Sequence, residues 1–173
     1  PAGKVNVYFG VHPVATVPQH TYLTGERAGQ VKPARETRPK LGDVSAVNCI
    51  FAEFDAKDFE DGKPGALSHV VDLAPPASVL IDSGGGYHCY WLFKQPFMIS
   101  GPDDKATIKN SNKGITKALG GDPACVDVAR ILRVPGTFNH KRARRVDVIL
   151  FDPARRYNLT DFYDYTERLT VTA

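Results

Sequence analysis

The segment Val47-Asn48-Cys49-Ile50-Phe51-Ala52-Glu53-Phe54-Asp55 constrains this chain more than any other. From Val47 to Phe54 it is largely apolar and free of Gly and Pro, the pattern of a buried strand with charge at its far end. Side chains alternate along a strand, so Glu53 and Asp55 point to the same side. Two carboxylates that close repel each other. A divalent cation is the usual way to make the arrangement favourable, and hard oxygen ligands select Mg2+ or Mn2+. A strand end emerging into solvent carries acids too, so the pair alone leaves both outcomes open.

Two further segments carry chemistry. Ser78 to Ile81 and Tyr87 to Phe93 are β-type runs separated by Asp82-Ser83-Gly84-Gly85-Gly86, and Pro96 is expected to close the second run. Three glycines let backbone N–H groups approach an anion, while Ser83 and His88 add side-chain donors; the same residues also suit a hairpin with a hydrogen-bonded histidine. In the strand that follows, His88 shares a face with Tyr90 and Leu92. The third segment, Asp127 to Lys141, sets one acid and the cations Arg130, Arg133 and Lys141 around Pro135-Gly136. With Val126 to Leu132 read as a short helix, Asp127 and Arg130 lie three apart and can form an internal salt bridge before a type II turn. Alternatively, Asp127 is a further metal ligand and the cations clamp phosphates.

Elsewhere, Val5 to Val11 reads as a strand ended by Pro13, and Tyr8 or Phe9 suits either the core or stacking on a base. The polar, basic stretch that follows to Lys40 has no period and is expected to be an arm over the site. Ala66 to Leu73 predicts a short helix after Pro64-Gly65. Asp103 to Leu119 predicts a helix capped by Asp103 and ended by Gly120-Gly121. Val146 to Phe151 is a further strand, and Thr160 can cap a final helix. Irregular interleaving of strands and helices predicts an α+β fold with a largely antiparallel or mixed sheet, as a single domain over residues 1–173. Lys105, Lys109, Lys113 and Lys117 recur every four residues, a basic stripe that suits a DNA backbone or simply a solvated face. The arm, with Arg35 and Arg38, presents the same two options.

A net charge of only +3, from 22 Lys plus Arg against 19 Asp plus Glu, does not announce a nucleic-acid binder, so the clustering of the cations matters more than their sum. Cys49, Cys89 and Cys125 are scattered and odd in number; they predict small buried apolar residues and no structural zinc. No apolar run approaches the ~20 residues of a membrane span, and the start does not resemble a signal peptide, so a cytoplasmic location without membrane partners is expected. The chain begins at Pro1, from which a processed start or a domain excised from a longer protein is expected.

Taken together and in order, the three segments resemble the three motifs of the archaeo-eukaryotic primase superfamily, especially the primase-polymerases of plasmids, phages and related mobile elements. The shared pattern is an acid-x-acid at a strand end, then Ser-Gly-Gly-Gly-x-His entering a strand, then Asp followed by Arg-x-Pro-Gly-Thr-x-Asn-x-Lys. Here these are Glu53 and Asp55, Ser83 to His88, and Asp127 through Asn139 and Lys141. Many relatives place Asp first in the opening pair, where this chain has Glu53, whose longer arm can shift preference toward Mn2+.

The resemblance implies an RRM-like catalytic module flanked by helices, with Glu53, Asp55 and Asp127 holding two Mg2+ or Mn2+ ions. It implies that Ser83, Gly84, Gly85, Gly86, His88, Arg130, Arg133, Asn139 and Lys141 bind the triphosphate of a (d)NTP, with Arg133 the preferred triphosphate clamp. Template-directed phosphoryl transfer along a single-stranded DNA template and primer, and a helicase domain as partner in the full-length protein, are further implications. The alternative is a catalytically inactive replication-initiator or nucleotide-binding module with the same fold; a relaxase-type nuclease would need a His-hydrophobe-His motif, which the five histidines never form.

Overall fold

A computed structural model of the chain describes residues 5–15, 20–32 and 37–165. In chain order the elements are β1 (Tyr8–Gly10), β2 (Ala46–Asp55), α1 (Gly62–Val71), β3 (Val79–Asp82), β4 (Gly86–Met98), α2 (Pro102–Leu119), β5 (Ile131–Arg133), β6 (Phe138–Asn139), β7 (Arg144–Arg145) and β8 (Asp147–Phe151). The main sheet is antiparallel throughout, in the order β2-β4-β3-β8. Smaller pairs, β1 with β5 and β6 with β7, lie outside it. The fold is therefore α+β, as the irregular interleaving of elements predicts.

Alternation along β2 and β4 divides the interior in two. Ile50, Ala52 and Phe54 of β2 and Cys89, Trp91 and Phe93 of β4 join one apolar cluster with Ala66 and Val70 of α1 and Ile108, Ile115 and Leu119 of α2. Cys49, Phe51 and Tyr90 face the other way, into a cluster closed by Cys125, Leu132 and Val146. Both helices thus cover one face, and the opposite face, which carries Glu53 and His88, is roofed by the segment from Cys125 to Val146. On the outer edge of β2, Asn112 of α2 accepts from the Phe51 N–H and donates to the Val126 carbonyl, while the Asp122 N–H donates to the Glu53 carbonyl. Backbone groups that an edge strand would leave bare are satisfied in this way.

Local expectations fail where tertiary pairing overrides them. Val126 to Leu132 is no helix: a turn closed by the Arg130 N–H on the Asp127 carbonyl leads into β5, because Ile131 to Arg133 finds partners along β1 and Leu132 enters the core. Pro96 does not end β4, which continues to Met98. The register against β2 shifts between Val47 and Cys49, so Pro96 falls in the irregular stretch where its missing N–H leaves no ladder bond broken. Gly101, rather than Asp103, caps α2, and Asp104 accepts from the Ser100 and Gly101 N–H groups. Gly120 ends the helix at φ 75° as expected. Near the C-terminus Asn158, not Thr160, caps a 3-10 turn at Leu159–Phe162, where Asp161 accepts from the Asn158 N–H; residues 163–165 that follow are helical, and the rest of the expected final helix lies outside the described residues. Within Val5 to Val11 only Tyr8–Gly10 is strand, and Tyr8 and Phe9 stay partly exposed instead of entering the core.

His12 is buried beside Phe51, with both ring nitrogens lacking a hydrogen-bond partner among the described residues. Burial lowers its pKa from 6.5 to about 4. The unfolded chain therefore protonates His12 at a higher pH than the folded chain does, so the stability it contributes is complete above pH 6.5 and is lost as pH falls from 6.5 toward 4. Across that window the loss reaches about 3 kcal/mol. Urea unfolding at pH 7 and pH 4.5 should show His12→Phe, which keeps the ring against Phe51, with a smaller pH-dependent drop than the wild type by about that amount.

Candidate active site

The β2–β4 pairing places Glu53 directly opposite His88 and Asp55 opposite Gly86. Glu53 Oε1 lies 3.5 Å from the buried His88 Nε2, and Arg130 Nη2 lies 3.8 Å from Oε2. The other arm of the same guanidinium, Nη1, is 3.7 Å from Asp127 Oδ2. Two acids 74 positions apart in the chain thus meet on one cation, as the turn after Val126 swings Asp127 and Arg130 over the end of β2.

Burial alone would raise the Glu53 pKa, but contacts from His88, a hydrogen bond from the Cys125 thiol and the charge of Arg130 outweigh it and hold the group at about 2. Its carboxylate is ionised at any neutral pH. Burial and the neighbouring Glu53 push the Cys125 thiol up, which keeps it a donor. Asp55 is engaged differently, 2.5 Å from Lys57 Nζ on the 3-10 turn that follows β2.

Among the described residues no three His, Cys, Asp or Glu side chains converge as a ready-made ion cage. The arrangement still fits a divalent cation in its donor chemistry: carboxylate oxygens already bracket a positive charge, that of Arg130, and hard cations take such oxygens. Close by, His88 Nδ1 and Tyr90 Oη are buried without a hydrogen-bond partner among the described residues.

Asp127 and Arg130 also line a cleft of about 810 Å³, whose opposite wall is the arm, with His20, Lys32, Arg38 and Lys40. Arg38 therefore stands with the acid-bearing turn, and Arg35 lies outside the described residues. The arm is held by sparse pairing, such as the Lys32 N–H on the His20 carbonyl at 2.7 Å.

Ser83 to Gly86 forms the tight turn of the β3–β4 hairpin. The Ser83 hydroxyl and N–H both donate to the Gly86 carbonyl, and the Gly84 N–H donates to Asp82 Oδ1. Gly84 has φ +86°, and at Gly86 a Cβ would sit 2.0 Å from the Phe54 carbonyl oxygen, so only hydrogen fits where β4 begins against β2. Asn139 is buried behind the turn, donating to the Ser83 carbonyl at 2.7 Å. Three of the expected phosphate ligands, Ser83, Gly84 and Asn139, are thus bonded to one another's backbone or to their own turn.

Other expected site residues lie apart. Arg133 donates to Asn6 Oδ1 at 2.7 Å and sits over the Tyr8 ring, so the preferred phosphate clamp is tied to β1 rather than aimed into the cleft. Lys141 is exposed in the turn between β6 and β7. Lys105, Lys109, Lys113 and Lys117 ride on α2, whose apolar side packs on the sheet face opposite Glu53 and His88. Sequence patterns missed Cys125 and Lys57, the neighbours of Glu53 and Asp55. Lys57 carried a signal, lying two residues past Asp55; Cys125 carried none beyond its place two residues before Asp127.

The family of RepB DNA-primase N-terminal domains matches residues 56–158, an interval that contains His88, Asp127 and Arg130 and opens just past Asp55. In fold the chain is similar to the AEP domain of the cyanophage S-2L primase-polymerase, with a TM-score of 0.57 at 17% identity over 73% of this chain. It spans 64% of that domain's length. It is also similar to a structure of the primase RepB′ (TM-score 0.44, 13% identity, 78% of this chain, 44% of that one). A third is the catalytic domain of RepB′ in complex with initiator DNA (TM-score 0.43, 12% identity, 89% and 87%). No curated protein matches the chain.

The glycine turn makes a sharp prediction. Gly86→Ala should destabilise the fold by about 3 kcal/mol, because the strands must part to admit the methyl group. Gly85→Ala, which meets only the flexible Arg142 side chain, should change stability by less than about 1 kcal/mol. Urea unfolding midpoints measure both.

Proposed function

Because the chain belongs to the family of RepB DNA-primase N-terminal domains, we propose that it is a nucleotidyltransferase that makes primers and extends DNA on a single-stranded template during replication of a phage, plasmid or related element. What supports this most is the sharing of Arg130 between Glu53 and Asp127 at the wall of a cationic cleft. That arrangement matches the needs of phosphoryl transfer, in which positioning and electrostatics supply most of the catalysis.

In this proposal Glu53, Asp55 and Asp127 would hold Mg2+ or Mn2+, whose chemistry when bound is to offset the negative charge on the reacting phosphates and the departing pyrophosphate. The low pKa of Glu53 means that no proton has to leave before a cation is taken up. His88, fully buried, fixes the direction of the Glu53 carboxylate. Arg130 can turn from its carboxylates toward a triphosphate in the cleft, where Lys32, Arg38 and Lys40 add positive charge. Ser83, Gly84 and Asn139 would act by holding the β3–β4 turn in shape rather than by gripping phosphate themselves. No helix among the described residues is long and apolar enough to cross a membrane. A helicase as partner belongs to the same proposal.

The test is extension of a primer, and synthesis without one, on single-stranded template with (d)NTPs and Mg2+ or Mn2+. Asp55→Ala and Asp127→Ala should each abolish synthesis while leaving the thermal unfolding midpoint near that of the wild type. Synthesis at wild-type level by either variant removes the metal assignment, and a wild-type chain that binds template without synthesis establishes the inactive module instead.

A further inference from the structure

Outside the acid site, the described surface carries a stretch where exposed aromatic rings alternate with arginines that have no acidic partner among the described residues. It runs from β1 to the β6–β7 hairpin. Asn6 joins the two, its side-chain oxygen accepting from Arg133 Nη1 at 2.7 Å and from the His140 N–H at 3.2 Å. On the β1 side the Arg133 guanidinium lies 4.9 Å from the centre of the Tyr8 ring, which is 43% exposed. On the hairpin side Phe138 is 44% exposed and sits 5.0 Å from the His140 ring. The hairpin then presents Arg142 and Arg144, both exposed and without an acidic partner among the described residues, whereas Arg145 is balanced by Asp147 at 3.0 Å. Among the described residues no acid compensates Arg142 or Arg144, and the Phe138 and Tyr8 rings of the same stretch stay partly in water.

We propose that this stretch is the platform on which single-stranded DNA lies as it enters the site, with bases stacked on Phe138 and Tyr8 and phosphates paired with Arg142 and Arg144. Single-stranded nucleic acid is the partner that combines a polyanionic backbone with flat, unstacked rings. A duplex offers only the backbone, and an acidic peptide offers no succession of planar faces. Position agrees with chemistry. Arg142 packs against Gly85 in the β3–β4 turn, and Gly86 of that turn pairs with Asp55, so a strand held here runs beside the acid-bearing end of β2. The α2 lysines, by contrast, form a stripe with no exposed aromatic ring in the helix. Only the choice of DNA as the nucleic acid rests on the proposed function.

Binding of a fluorescein-labelled oligo-deoxythymidine, followed by anisotropy without metal or nucleotide, tests the platform directly. Phe138→Ala should weaken binding about tenfold, with Phe138→Trp restoring it. Arg142→Ser combined with Arg144→Ser should reduce the slope of log affinity against log salt by about 1.4. Lys109→Ala with Lys113→Ala and Lys117→Ala should bind as the wild type does. Wild-type affinity in the Phe138→Ala or double-arginine variant, with loss in the lysine variant, overturns the platform; so does an equal effect of Phe138→Ala on duplex DNA. A platform that binds in a chain unable to transfer nucleotides sinks the proposed activity alone, and synthesis that proceeds with platform variants binding normally sinks the platform alone.

Discussion

The antiparallel pairing of β2 with β4 is the constraint from which the rest of the molecule follows. It sets Glu53 across from His88, and it starts at Gly86, whose missing side chain lets β4 approach the Phe54 carbonyl. Were that approach a side chain wider, the acid and the histidine would lose their register. Asn139 and the Ser83 turn brace the same corner from behind. The three glycines are therefore needed first for the geometry of the strands, whatever anion later comes near them.

Around this pair the protein gathers charge of both signs in partly buried surroundings. Glu53 loses water by burial and regains more than it loses from His88, Cys125 and Arg130, and so stays ionised. Arg130 is shared with Asp127, an acid contributed by the roof segment itself. A guanidinium between two carboxylates offsets the repulsion that the acids would otherwise feel. The arm supplies further cations to the cleft while adding little to the hydrophobic core.

Where the pattern was strong and local, the sequence was a sufficient guide. The β2 run, the hairpin around the glycines, the end of α2 at Gly120 and the common side of Glu53 and Asp55 follow from alternation and from turn chemistry. Where the outcome depended on distant partners, it was not. Nothing within Val126 to Leu132 announces that β1 will draw Ile131 to Arg133 into a strand, and nothing around Pro96 announces the register shift in β2 that accommodates it. Arg133 looked like a phosphate clamp by its neighbours in sequence, yet Asn6, more than a hundred residues away, holds it elsewhere.

The amino-acid order by itself determined which residue types were available and which face of a strand they would share, since the two-residue period of a strand is a property of the backbone. Only the tertiary structure decided which of those residues meet. That Asp127 and Glu53 grip one arginine, that Cys125 donates to the acid, and that the α2 lysines lie on the other side of the sheet are consequences of packing two apolar faces against different coverings. Such packing is a long-range choice, and no local period encodes it.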